Sequence, residues 1–102
     1  MSSPSYRLSV VPDLQTTMRG WNLSRAERVQ MWTRLLFDLS SNPDRLLYQP
    51  IQRPNVWAYR FSLGNAPARR YFSFAVERHD YSGELQILKG TLTFEDDLPP
   101  PP

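Results

Sequence analysis

An α+β fold, in the order β-α-α-β-β-β with an antiparallel sheet packed on an N-terminal helical pair, is what this sequence predicts. Three observations lead there. Residues 24–39 place apolar side chains at spacings of three and four behind a helix-start signature. Residues 56–63 and 70–77 instead alternate aromatic and polar side chains, the period of a strand with one buried face. Clusters of Gly, Asn, Asp and Pro separate the later strand candidates and leave room only for tight turns. Helices grouped ahead of strands suit helices on one face of an antiparallel sheet. At 102 residues the chain fits one domain, expected over residues 1–95.

In order along the chain, Tyr6, Leu8 and Val10 alternate with Arg7, Ser9 and Val11, which predicts a half-buried first strand. Pro12-Asp13 ends it, and Asp13 is expected to cap a short helix running to about Gly20, with Leu14, Met18 and Trp21 at helical spacing. Ser24 followed three positions on by Glu27 forms a capping box, which satisfies two amide donors at a helix start. Ala26, Val29, Trp32, Leu36 and Leu39 then make one apolar stripe, with Arg25, Arg28 and Arg34 off it and Arg34 one turn from Asp38. Ser40-Ser41-Asn42-Pro43 stops this helix, and residues 43–55, with three prolines and no period, read as an irregular connection.

The second strand, Val56 to Leu63, puts Trp57, Tyr59, Phe61 and Leu63 on one face and Ala58, Arg60 and Ser62 on the other. Gly64-Asn65-Ala66-Pro67 turns the chain into a third strand, Arg70 to Glu77, with Phe72, Phe74 and Val76 on the core face. Tyr71, Ser73, Ala75 and Glu77 lie opposite, with Arg69 just before them. Asp80 to Gly83 turns it again into a last strand, Glu84 to Phe94, in which Gly90 is expected to kink or bulge. Residues 96–102 are an acidic, proline-rich tail expected to be disordered. Trp32 and Trp57 are expected to be core anchors.

Composition narrows the function. Residues 1–90 hold all 12 basic side chains but seven of the 10 acids, a net +5 that Glu95, Asp96 and Asp97 bring back to +2. Eleven of the basic residues are Arg, whose planar fork matches phosphate oxygens and stacks on bases; a GC-rich genome gives the same bias. A basic body suits nucleic acid or an acidic protein as partner. The absence of Cys removes a disulfide framework and any thiolate metal site, which fits a cytoplasmic protein. No run approaches 18 apolar residues, so no membrane span is expected, and Met1 to Ser5 carries no signal-peptide pattern. Neither a phosphate-cradling glycine loop, a nucleophile elbow nor a paired-carboxylate hydrolase site is present.

Taken together, residues 6–95 resemble the RelE/ParE superfamily of bacterial type II toxin–antitoxin toxins in length, charge and element order. The resemblance is carried by Asn42-Pro43-Asp44-Arg45-Leu46 after the second helix, by Val56-Trp57-Ala58-Tyr59-Arg60-Phe61, by Arg69-Arg70-Tyr71-Phe72-Ser73-Phe74-Ala75-Val76, and by Ile87-Leu88-Lys89-Gly90. It implies a toxin that inhibits translation by ribosome-dependent, metal-independent cleavage of mRNA, needs no cofactor, and is neutralised by a cognate antitoxin protein. RNA-cleaving members usually carry a basic or His/Tyr cluster after the fourth strand, whereas here that stretch is Gly90-Thr91-Leu92-Thr93-Phe94-Glu95. The alternative reading is therefore a ParE-like toxin that binds DNA gyrase, or a module that only binds protein.

Metal-free RNA cleavage needs a base for the 2′-hydroxyl, a cation at the phosphate and an acid for the leaving oxygen. Strand parity brings Arg60, Arg69 and Tyr71 to the face away from the core, and these are the candidate catalytic residues. Arg53, Arg70 and Lys89 are candidate RNA-binding residues, Arg70 sitting at the sheet end because it shares the parity of Phe72. The competing reading of this face is a solvated surface with cross-strand ion pairs. His79, the only histidine, reads as a surface turn residue beside Asp80 rather than as a base, and no further His or Cys exists to build a metal site.

Overall fold

A computed structural model describes residues 6–41, 43–48, 55–65, 67–79 and 81–95. It is an α+β fold with four strands: β1 (Arg7–Val10), α1 (Pro12–Arg19), α2 (Arg25–Ser41), α3 (Pro43–Leu46), β2 (Val56–Leu63), β3 (Arg70–His79) and β4 (Glu84–Phe94). The proposed disordered tail and Arg53 fall outside the described residues.

The sheet order is β1-β4-β3-β2, and the sheet is mixed rather than antiparallel. β2, β3 and β4 form an antiparallel meander, and β1 pairs with β4 in parallel, Arg7 opposite Glu84 and Val10 opposite Ile87. A parallel pair needs a long crossover, and the helical segment between β1 and β2 begins one. The Arg7 amide donates to the Gly83 carbonyl at 2.8 Å and the Val11 amide to Ile87 at 3.2 Å, closing the two ends of the pair. α1 and α2 are not strictly the expected helical pair: α1 packs on β4 and α2 on β1 and β2, while Arg28 of α2 donates back to the Arg19 carbonyl at the end of α1 at 3.4 Å.

Pro12 opens α1, since a first-turn residue has no helical partner for the amide that proline lacks. Asp13 is therefore in the first turn and not the cap, and no side chain bonds at Val11, the capping position. Leu14 and Met18 are buried, one turn apart. α2 starts as its sequence dictates: the Ser24 amide donates to Glu27 Oε1 at 3.0 Å and the Glu27 amide to Ser24 Oγ at 3.2 Å. Its buried residues are Met31, Leu35 and Leu39: Leu39 is buried as expected, but Met31 and Leu35 take the places expected of Trp32 and Leu36 one position on, and Ala26 is exposed. Val29 and Leu36 are exposed at 58% and 48%, and Trp32 is half-buried at the core margin. α2 ends at Ser41 as expected, but the chain then makes the short helix α3 rather than an irregular connection.

The core is aromatic on the sheet side and aliphatic on the helix side. Tyr59 and Phe61 of β2 and Phe72, Phe74 and Val76 of β3 all point to the helices and are buried, as alternation predicts. Phe61 stacks on Phe72 at 4.9 Å between ring centroids, and Trp21 leans against Phe72 at 5.9 Å. Trp57 packs at the margin, with the Arg78 guanidinium 5.9 Å from its ring. In β4, Ile87 faces Val76 but Lys89 faces Ala75, so Leu88 is an inserted bulge residue. The bulge moves the core positions from Leu85 and Ile87 to Gly90 and Leu92, leaving Lys89, Thr91 and Thr93 on the far face. Gly90 itself answers to packing: a Cβ there would stand 2.8 Å from two ring carbons of Phe74 and 3.3 Å from Leu14 Cδ1. Gly64 turns β2 into β3 with φ of 84°, where a side chain would be strained. No helix among the described residues is long and apolar enough to cross a membrane.

Candidate nucleic-acid interface

Among the described residues, the helices cover one face of the sheet and leave the other open. Strand register arranges the open face in cross-strand rows. Ser62, Tyr71 and Thr93 form one row, and Arg60, Ser73 and Thr91 the next. Ala58, Ala75 and Lys89 follow, then Val56, Glu77, Gln86 and Ser9, and last His79, Glu84 and Arg7.

Charge divides this face in two. At one end the acids are engaged: Glu77 Oε1 lies 2.7 Å from His79 Nε2, and Glu84 Oε1 accepts the Ser9 hydroxyl at 2.9 Å. His79 is the last residue of β3, opposite Glu84, and not a turn residue. At the other end stand Arg60, Arg69 and Tyr71, with Lys89 between. Arg60 Nε donates to Ser73 Oγ at 3.3 Å, and its guanidinium lies 5.6 Å from the Tyr48 ring centroid. Arg69 donates to the Tyr71 hydroxyl at 3.4 Å. The Tyr71 hydroxyl first, then its charge and that of the Glu95 carboxylate, raise the Arg69 pKa above its ordinary value, so this guanidinium stays fully charged.

Two shallow hollows occupy the cationic end. Arg60, Ser62, Tyr71, Ser73, Thr91 and Thr93 line one of about 570 Å³. Ala58, Ala75 and Lys89 line its neighbour of about 370 Å³, and Arg60, Ser73 and Thr91 border both. The face thus brings together four of the six expected site residues: Arg60, Arg69, Tyr71 and Lys89. Arg70 belongs elsewhere. It projects to the helix side, 2.6 Å from Glu27 Oε2 and 5.0 Å from the Phe94 ring centroid. That ion pair ties β3 to the start of α2, which removes Arg70 from the open face.

Chemically, guanidinium, ammonium and hydroxyl groups within two neighbouring rows can bind a phosphodiester and stabilise charge that develops on it. Tyr71 accepts from Arg69, which leaves the hydrogen of its hydroxyl to point to another acceptor. Among the described residues the cross-strand rows of the cationic end hold no carboxylate or imidazole, and the carboxylate nearest to them is Glu95, just past β4, whose amide donates to the Arg69 carbonyl at 2.9 Å. His79 is six positions along β3 from Ser73, about 20 Å at strand rise, and is already paired with Glu77. No group of three acidic or imidazole side chains among the described residues could hold a metal ion. Tyr48 went unread in the sequence because it sits in a segment without period; an aromatic amid prolines and arginines was its only signal. No protein-family model matches the chain, and no curated protein or solved structure matches it.

Proposed function

We propose that this chain has the RelE/ParE-like arrangement and is the cytoplasmic toxin of a type II toxin–antitoxin module that cuts mRNA on the ribosome. The observation that carries this reading is the clustering of Arg60, Arg69, Tyr71 and Lys89 on one helix-free sheet face. Arg60 and Lys89 hold the scissile phosphate and its neighbour, and guanidinium charge stabilises the phosphorane. The 2′-hydroxyl oxygen bonds to phosphorus, the bond from phosphorus to the 5′-oxygen breaks, and Tyr71 gives its proton to that oxygen. The 2′-hydroxyl proton passes to water, which reprotonates Tyr71. Its antitoxin partner is an acidic segment that orders on contact.

A second reading, a non-cutting toxin directed at DNA gyrase or a protein-binding module, is favoured by one observation: the only imidazole lies 2.7 Å from the Glu77 carboxylate, away from Arg60 and Arg69. Controlled expression in bacteria separates the two. Growth arrest with cleaved mRNA and intact DNA, relieved by the product of a neighbouring gene, is the expected result. Arrest with intact mRNA and broken DNA selects the gyrase reading, and no arrest removes both toxin readings.

A further inference from the structure

The centre of the open face has a floor and walls of different chemistry. Ala58 and Ala75 are partners across β2 and β3, and Lys89 is the partner of Ala75 on β4. Of the β2–β3 pairs on this face, only this one brings two methyl side chains together; each other pair includes a longer residue. The result is a hollow of about 370 Å³, bordered at one end by Arg60 with the Ser73 and Thr91 hydroxyls. Tyr48 stands at the outer margin. It exchanges both backbone hydrogen bonds with Ala58, at 3.0 and 2.6 Å, so its side chain rises on the same face. The Arg60 guanidinium lies 5.6 Å from its ring centroid.

A flat, apolar floor between two cations suits a planar ring whose neighbours on either side are anionic. A nucleotide within a single strand has that chemistry, and a paired, stacked base in a duplex cannot reach the floor. We infer that this hollow takes one unstacked base of single-stranded RNA, laid over Ala58 and Ala75, with its flanking phosphates on Arg60 and Lys89. The inference rests on the RNA-directed reading above and assigns it a base-binding subsite. Three features converge on it: charge complementarity to the backbone, the room left by two methyl groups, and the Arg60 guanidinium on the border of the hollow as a surface for a π-system.

Fluorescence anisotropy on the full chain tests it, with a labelled short oligouridylate and a ribose-phosphate oligomer of equal length lacking bases. The wild type is expected to hold the base-bearing oligomer about tenfold more tightly. Ala75→Leu fills the floor and should bring the oligouridylate down to the abasic level while leaving abasic binding unchanged. Lys89→Ala should weaken both. Equal wild-type affinity for the two oligomers would overturn the subsite and leave backbone binding by the face standing. A folded Ala75→Leu protein with undiminished preference for bases would overturn it as well. If that variant fails to fold, the wild-type comparison decides alone, and binding of neither oligomer removes the subsite together with RNA recognition by the isolated chain.

Discussion

At the scale of single residues, the core imposes demands that are local and measurable. Tyr59 is buried to 1% exposure, and its hydroxyl donates a hydrogen bond to Asp38, which also takes Arg34 Nε at 3.0 Å. Burial first, then the bond to Asp38 and its charge, push the Tyr59 pKa well above the ordinary value of 10.0. The unfolded chain therefore releases this proton at a lower pH than the folded one, so stability falls as pH rises past the unfolded value. Urea midpoints followed from about pH 8 to about pH 11 should drop in the wild type and drop less in Tyr59→Phe, which itself costs about 1 kcal/mol at neutral pH. A parallel drop in both proteins would assign the alkaline loss to other groups. Gly90 makes a second demand. Gly90→Ala drives a methyl into the Phe74 ring, 2.8 Å away, and should lower stability by about 1–3 kcal/mol in thermal melts. Parity put Tyr59 on the buried face but gave no sign of its bond to Asp38; the sequence marks Gly90 as irregular, but only the register shows that the bulge is at Leu88 and that Gly90 is there for Phe74.

At the scale of elements, strands were easier to read than helices. Two-residue alternation leaves no freedom of phase, so Tyr59, Phe61, Phe72 and Phe74 fell on the buried face as their parity required. α2 shows the opposite case. Apolar residues occupy more than half its circumference, so Val29, Trp32 and Leu36 form as good a stripe as Met31, Leu35 and Leu39, and sheet packing decides between them. The choice is testable: Leu35→Ala should cost about 2–5 kcal/mol, and Leu36→Ala less than about 0.5 kcal/mol in denaturant unfolding. The reverse order would rotate the helix. β4 escaped a simple parity reading because one inserted residue exchanges its faces, and that insertion is what brings Lys89 to the open side. Arg70 had the parity of Phe72, and its position at the strand end let it reach Glu27 across the core margin.

At the scale of the whole molecule, the sheet has two unlike faces among the described residues: one buried under α1 and α2, the other open, with Glu77, Glu84 and Arg7 at one end and Arg60, Arg69 and Lys89 towards the other. The separation of elements into helices and strands, and the membership of Arg60, Arg69 and Tyr71 in one face, were legible from periodicity alone. The parallel β1–β4 pair was not, because strand direction depends on the path of the connection rather than on the residues that pair. The central claim is that the cationic end of the open face acts on RNA, and Arg60 stands at its middle, bordering both hollows. The direct measurement is primer extension on mRNA bound to purified ribosomes, comparing the wild type with folded Arg60→Ala. The account predicts defined cuts by the wild type and a loss of at least about 100-fold in cleavage rate for Arg60→Ala, the scale of removing one charge-stabilising group. Defined cuts made equally fast by Arg60→Ala, at unchanged thermal stability, would contradict it.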